Sequence, residues 1–236
     1  MNEKEQQISD ILANPESIKY AFQPIFDVTN NTVYGHEALM RPSPFSPMDI
    51  VEYCISEDRL NDIETITAIY SVAEFLNKGL EGKIFINSFP EASMSVEDSL
   101  KLRNFSHGRM AGRAVFEMLE YTKLDEYSWH RKQEEFAKSN LNALIAIDDY
   151  GTDDLMDSAR IRMFHPNIIK IDISLVSNVH ADKIKQDKIN RILDYTGNND
   201  IIALAEGVET KEEYDYLRTL PIQLMQGYYL GRPNIY

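Results

Sequence analysis

The stretch ALIAIDDYGTDDLMDSARIRMFHPNIIKID, residues 143–172, decides the fold. Two short apolar runs, Ala143–Asp148 and Ile168–Asp172, enclose a charged amphipathic segment, Leu155–Met163. A strand-like run, a helix-like segment and a second strand-like run predict parallel strands joined by a crossover helix packed outside. The same alternation extends in both directions. Further strand-like runs are Lys83–Asn87, Ala114–Leu119, Ile201–Glu206 and Pro221–Tyr228. The helix-like segments Met48–Ser56, Asn61–Leu80, Tyr127–Ser139, Ala181–Tyr195 and Lys211–Leu217 fall among them. Upstream, Tyr20–Val28 and Thr32–Met40 flank the turn signal Thr29-Asn30-Asn31, so the first two strands form an antiparallel hairpin. The hairpin brings the strands to eight, the number that closes a barrel of this α/β class. The barrel is expected over residues 20–236, with residues 1–19 a polar helix or cap. The irregular stretch 93–112 reads as a helix plus a loop.

The bulk numbers agree. A chain of 236 residues suits one large domain and can bury a sizeable core. Its formal charge is −14, from 24 basic and 38 acidic residues. Such a surface repels DNA and RNA backbones, yet it does not exclude a small phosphorylated ligand held through metal ions. No apolar run approaches the ~20 residues that span a bilayer. Residues 1–10 lack the apolar core of a signal peptide. Cys54 stands alone, so no internal disulfide can form; it reads as a packed core thiol in a cytoplasmic protein.

Polar residues interrupt the strands at regular places. Side chains alternate faces with period two. By that parity Val33, Gly35, Glu37, Leu39 and Arg41 share one face of the second strand. The same parity pairs Phe85 with Asn87, Val115 with Glu117, Ala146 with Asp148, and Ile168 with Lys170 and Asp172. It pairs Leu204 with Glu206 and Leu224 with Gln226. In strand after strand an apolar residue is followed by a polar one near the C-terminal end. If the apolar faces fill the barrel, the polar groups converge at the mouth where barrel enzymes build their sites. Glu37, Glu117, Asp148, Glu206 and Asp149 would repel one another there. Divalent cations would relieve the repulsion, and hard oxygen ligands, with Asn87 among them, suit Mg²⁺ or Mn²⁺. The histidines are scattered, and with a single cysteine nothing argues for zinc. The adjacent aspartates can reach one site only where their strand ends. There Asp148 could bridge two metals and Asp149 bind one, as in two-metal phosphodiester hydrolysis.

These residues also carry a family resemblance. The run YGHEALMRP contains Glu37-Ala38-Leu39, the triplet that names the EAL phosphodiesterases, followed by Arg41. The segments FQPIFD, FINSFP, FEMLE, IDDYGT, IIKIDISLV, ALAEGVET and MQGYYLGRP resemble the family's other motifs in order, from about Tyr20 to Pro233. The resemblance implies a modified TIM (β/α)8-type barrel whose first strand is antiparallel. It implies a cyclic-di-GMP phosphodiesterase that opens its substrate to linear 5′-phosphoguanylyl-guanosine (pGpG) with two Mg²⁺ or Mn²⁺ ions. Glu37, Asn87, Glu117, Asp148 and Asp149 would hold the ions. Lys170, Glu206 and Gln226 would serve catalysis by holding water. Gln23, Arg41 and Asp172 would bind substrate, with Arg41 at a phosphate. Glu120 would anchor the loop after the paired aspartates. The resemblance also implies a homodimer. With about 19 residues ahead of the barrel, regulation is expected from expression, oligomerisation or a protein partner.

One segment departs from the family. Asp153 stands where a glycine is usual, and the residues after it lack the serine-rich, hydrophobic continuation. Losing glycine removes positive-φ freedom and predicts a loop that lowers activity or orders against a partner subunit, unless aspartate tolerates a left-handed turn there. The alternatives to an active enzyme are a receptor that binds cyclic-di-GMP uncleaved and a pure protein-interaction domain. Filled ligand positions favour the enzyme.

Overall fold

The computed structural model describes residues 2–106, 108–119, 126–139 and 141–236. The strands are β1 (Lys19–Asp27), β2 (Thr32–Arg41), β3 (Lys83–Ser88), β4 (Ala114–Met118), β5 (Leu144–Tyr150), β6 (Ile168–Ile171), β7 (Ile202–Ala205) and β8 (Leu224–Met225). The helices are α1 (Glu3–Ala13), α2 (Pro47–Ser56), α3 (Leu60–Asn77), α4 (Val96–Phe105), α5 (Glu126–Ser139), α6 (Asp154–Phe164), α7 (Ile173–Val176), α8 (Lys183–Asn198) and α9 (Lys211–Leu217). Among the described residues these eight strands close into a barrel in sequence order. Strand β1 runs antiparallel to both of its neighbours, β2 and β8; every other pair is parallel. The modified TIM-type barrel expected from the hairpin and the alternation is therefore the observed fold.

Local chemistry explains the elements. At the hairpin, Asp27 Oδ1 accepts the amides of Thr29 and Asn30, each at 2.9 Å, and Asn31 takes a φ of 55°. Capping boxes start α1 (Asn2 with Glu5), α2 (Ser46 with Asp49) and α9 (Thr210 with Glu213), satisfying amides that have no partner inside the helix. Helix α1 is fastened by Ile8 and Leu12, both buried.

The barrel is filled by Ile25, Phe85, Val115, Ala146, Ile168, Leu204 and Leu224. These are the apolar partners that strand parity named, joined by Ile25 from β1. Burying each large one contributes about 1.5–3 kcal/mol. Two outer clusters pack the helices onto the sheet, and Cys54 lies fully buried in the larger one.

Three expectations change. A register shift between Ile25 and Phe26 leaves Tyr34 unpaired in β2, so Tyr34 packs on the interior cluster beside Phe85 while Val33 is 44% exposed. The last strand is not Pro221–Tyr228 but only Leu224–Met225: after Gln226 donates to Ala205 O, the amides of Leu230 and Gly231 turn back onto Gly227 O. Strand β6 stops at Ile171 because Asp172 begins a helix.

Candidate active site

The mouth is built by strand register. Gln23 on β1 lies directly opposite Glu37 on β2, and Asn87 on β3 opposite Glu117 on β4. Two residues beyond the interior cluster on β5 to β8 come Asp148, Lys170, Glu206 and Gln226. The structure thus brings together most of the polar residues that parity assigned to one end, Asp172 excepted.

At their centre is Lys170, 1% exposed. Its Nζ lies 2.6 Å from Glu117 Oε1, 2.7 Å from Asp148 Oδ1 and 2.5 Å from Glu206 Oε1. Burial alone would lower the pKa of this ammonium. The fields of Asp148, Glu117, Glu206 and Glu37 outweigh burial and hold it well above its ordinary value. For Glu117 burial is the larger effect: despite Lys170, its pKa stands well above the usual range, with Glu37, Asp148 and Glu206 pushing the same way. Glu206 is raised likewise, by burial first and then against Lys170 by Asp148 and Glu37. Gln226 Nε2 donates to Glu37 Oε2 at 2.5 Å and to Gln23 Oε1 at 3.3 Å, and Gln23 Nε2 donates to Gly231 O at 3.0 Å.

The adjacent aspartates share the site through a bulge. The β5–β6 ladder passes from Ile147 to Tyr150 without pairing Asp148 or Asp149, and Asp149 takes a φ of 50°. Gly151 follows at a φ of 102°, where a Cβ would come within 2.4 Å of Leu175 Cδ1. The left-handed positions of this turn are Asp149 and Gly151, not Asp153, so the departure from glycine at Asp153 removes no freedom the backbone uses.

Two cavities meet at the paired aspartates. One, of about 280 Å³, is largely apolar and is bounded by Met48, Val51 and Phe89, with Arg41 and Asn87 on its rim. The other, of about 310 Å³, is bounded by Gln23, Glu37, Lys170, Glu206, Gln226 and Tyr228. Arg41 is half-buried and donates to Met40 O at 2.8 Å. Asp172 stands apart from these contacts: it caps α7, accepting the amide of Ser174 at 2.8 Å. Glu120 lies outside the described residues.

With this geometry the chain can be compared with known proteins. The EAL-domain family profile matches residues 5–233. The chain belongs to the EAL-domain family. It is 28% identical to the probable cyclic di-GMP phosphodiesterase PdeG of Escherichia coli K12, across 98% of this chain and 47% of that one. The chain spans about half the length of this relative. Among solved structures it is similar to the c-di-GMP-bound form of a standalone versatile EAL protein from Vibrio cholerae O395. That likeness has a TM-score of 0.77 and 29% identity, over 92% of each chain. A calcium and cyclic-di-GMP complex of BlrP1 from Klebsiella pneumoniae gives 0.77 and 26%, over 92% of this chain and 55% of that one.

The side chains of this EAL domain suit divalent cations. Glu117, Asp148 and Glu206 offer oxygens all within 4.8 Å of one another. Glu117 Oε2 and Gln226 Oε1 are buried with no hydrogen-bond partner. Buried oxygens without donors are costly, and a cation at the mouth would satisfy them.

Behind the mouth lie two buried ion pairs that the sequence reading missed. Glu64 on α3 accepts from Ser88 Oγ at 2.8 Å and from the amide of Phe89 at 2.9 Å, gripping the chain just after Asn87. Lys132 on α5, wholly buried, reaches Glu64 at 2.5 Å and the carbonyls of Phe89 and Ala92 at 2.9 and 2.8 Å. Asp157 and Arg160, each 3% exposed, form the second pair on α6. A period signal was available for Lys132: Trp129 and Phe136, three before and four after it, mark an inward helix face.

Proposed function

We propose that this EAL domain hydrolyses cyclic-di-GMP to linear pGpG at the barrel mouth, using two divalent cations, Mg²⁺ or Mn²⁺. The observation that carries the reading is the ring of carboxylates drawn around buried Lys170 at the end where the strands stop. The names of the relatives support it. So does the charge at the mouth: fully ionised, Glu37, Glu117, Asp148, Asp149 and Glu206 leave four negative charges after Lys170, which two divalent cations would neutralise. The paired cavities on either side of Asp148-Asp149 suit a ligand with two lobes.

In this reading Glu37, Asn87, Glu117, Asp148 and Asp149 hold the ions. Bound there, they supply Lewis-acid polarisation of the phosphoryl group and an acidified water. Gln23 and Arg41 orient the dinucleotide, the guanidinium matching phosphate oxygens in its planar fork. Lys170, whose ammonium sits among Glu117, Asp148 and Glu206, stabilises the charge that develops on the phosphoryl oxygens. Glu206, at the mouth beside Lys170, is placed to accept the proton of the attacking water. Water adds to phosphorus, the ribose 3′-oxygen leaves, and the ring opens. Asp172, two residues beyond Lys170, caps α7 and in this reading helps to bind substrate. The reading places the protein in the cytoplasm as a homodimer regulated through expression, oligomerisation or a partner. Among the described residues no helix is long and apolar enough to cross a membrane.

Incubating the purified protein with cyclic-di-GMP and Mg²⁺ or Mn²⁺, with a chelator control, tests the reading by chromatography of products. Metal-dependent linear dinucleotide is expected. Binding without product would replace the enzyme by a receptor, and neither binding nor product would leave an interaction domain.

A further inference from the structure

The segment from Asp153 to Ser158 departs from the family's expected pattern, yet the turn just before it is held by charges of this chain's own. Arg160 Nη2 donates to two carbonyls, Met118 O at 2.9 Å and Asp148 O at 2.6 Å. Its Nη1 lies 3.5 Å from Asp157 Oδ1. The other carboxylate oxygen, Asp157 Oδ2, accepts the amide of Gly151 at 2.7 Å. The pair therefore grips the turn at both ends, by the carbonyl of Asp148 and the amide of Gly151. Met118 directly follows Glu117, so the same guanidinium ties the end of β4 to the end of β5.

The turn has reason to be gripped. Strand pairing skips Asp148 and Asp149, and Asp149 sits in the left-handed region, which costs a non-glycine residue about 1–2 kcal/mol. Such a conformation persists only where its surroundings over-determine it. General stabilisation is a poor account of the pair, since replacing a buried ion pair by apolar groups is often neutral or stabilising. What apolar groups cannot supply is the three directed hydrogen bonds, and all three end on backbone within two residues of Glu117, Asp148 or Asp149.

We propose that Arg160 and Asp157 are positioning residues of the site: they fix the Asp148–Gly151 turn so that both aspartates face the mouth in register with Glu117. The inference rests on the metal-dependent reading above. It deepens that reading by assigning the altered segment a role in shaping the ligand set.

The test measures Mn²⁺ affinity of the chelator-treated protein by electron paramagnetic resonance, beside cyclic-di-GMP turnover and urea unfolding. The double variant Asp157→Leu/Arg160→Leu is expected to unfold cooperatively near the wild type and to bind Mn²⁺ about 10–100-fold more weakly, the usual cost of losing groups that orient metal ligands. Asp157→Asn keeps an oxygen for the Gly151 amide and is expected to retain most of the affinity. Arg160→Lys keeps the charge but cannot span both carbonyls and Asp157, and is expected to fall between. A folded double variant with unchanged Mn²⁺ affinity overturns the proposal and leaves the phosphodiesterase reading standing. Wild-type protein that binds no Mn²⁺ sinks that reading and this one with it. A double variant that does not fold makes the pair a determinant of the fold and overturns the positioning role.

Discussion

Replacing Lys170 by methionine tests the charge balance on which the mouth depends. Methionine is close to lysine in length and volume, so packing inside the barrel changes little. What is lost is one ammonium within 2.5–2.7 Å of three carboxylates. Removing one partner of a buried pair costs about 3–5 kcal/mol. Asp148 and Glu206 keep side-chain exposures of 13% and 16% and can take up water, whereas Glu117 has none. The loss therefore falls at the lower end, about 3 kcal/mol, or roughly 6–12 °C in Tm for a domain of this size. Divalent cations would take over the neutralisation: an ion at a hundred times its Kd stabilises by about 2.7 kcal/mol. Unfolding of Lys170→Met in urea should show the full deficit in chelator and a smaller one in saturating Mg²⁺, with turnover lost in both. A variant within about 1 kcal/mol of wild type in chelator, close to the value of an exposed pair, would refute the assignment of Lys170 as the counter-charge.

Glu37→Ala removes a half-buried carboxylate partnered by Gln226, so turnover should vanish while circular dichroism and unfolding stay near wild type; retained turnover would remove Glu37 from the ligand set. Burial pushes Glu135 from 4.5 up to about 7, and a carboxyl whose folded pKa is raised stabilises the fold only while protonated, fully below about pH 4.5 and not above pH 7. Glu135→Gln should therefore match wild type in urea at pH 4.5 and exceed it at pH 8 by up to about 3 kcal/mol, and a pH-independent difference would contradict the shift. Asp153→Gly should leave turnover unchanged, because the backbone at that position has no left-handed φ to relieve; a several-fold gain would show that the departure itself limits activity.

The barrel was legible because strands announce themselves twice, by period-two parity and by the helices between them. Phe85 with Asn87, Val115 with Glu117 and Leu204 with Glu206 fix both the interior and the mouth from one rule. That rule failed where the backbone breaks step. The register shift at Ile25–Phe26 sent Val33 outward, and parity alone could not foresee it. The bulge at Asp149 was half foreseen: two adjacent aspartates cannot face one way along a regular strand, so an interruption was required, but its place inside β5 was not.

The two ion pairs behind the mouth stayed hidden for a different reason. A helix is read by assigning charge to solvent, and α5 and α6 are rich in charge. Lys132 and Arg160 instead point inward, because each finds backbone carbonyls that strand pairing leaves open: past the end of β3, at the last residue of β4 and at the bulge inside β5. Those carbonyls are open because the strands stop or bulge there, which is also where the proposed ligands sit. A buried charge behind a barrel mouth is thus a consequence of the site in front of it. The same logic explains why the pairs are spent on backbone: side chains proposed to turn to a cation in the cavity are best held in place through the chain that carries them.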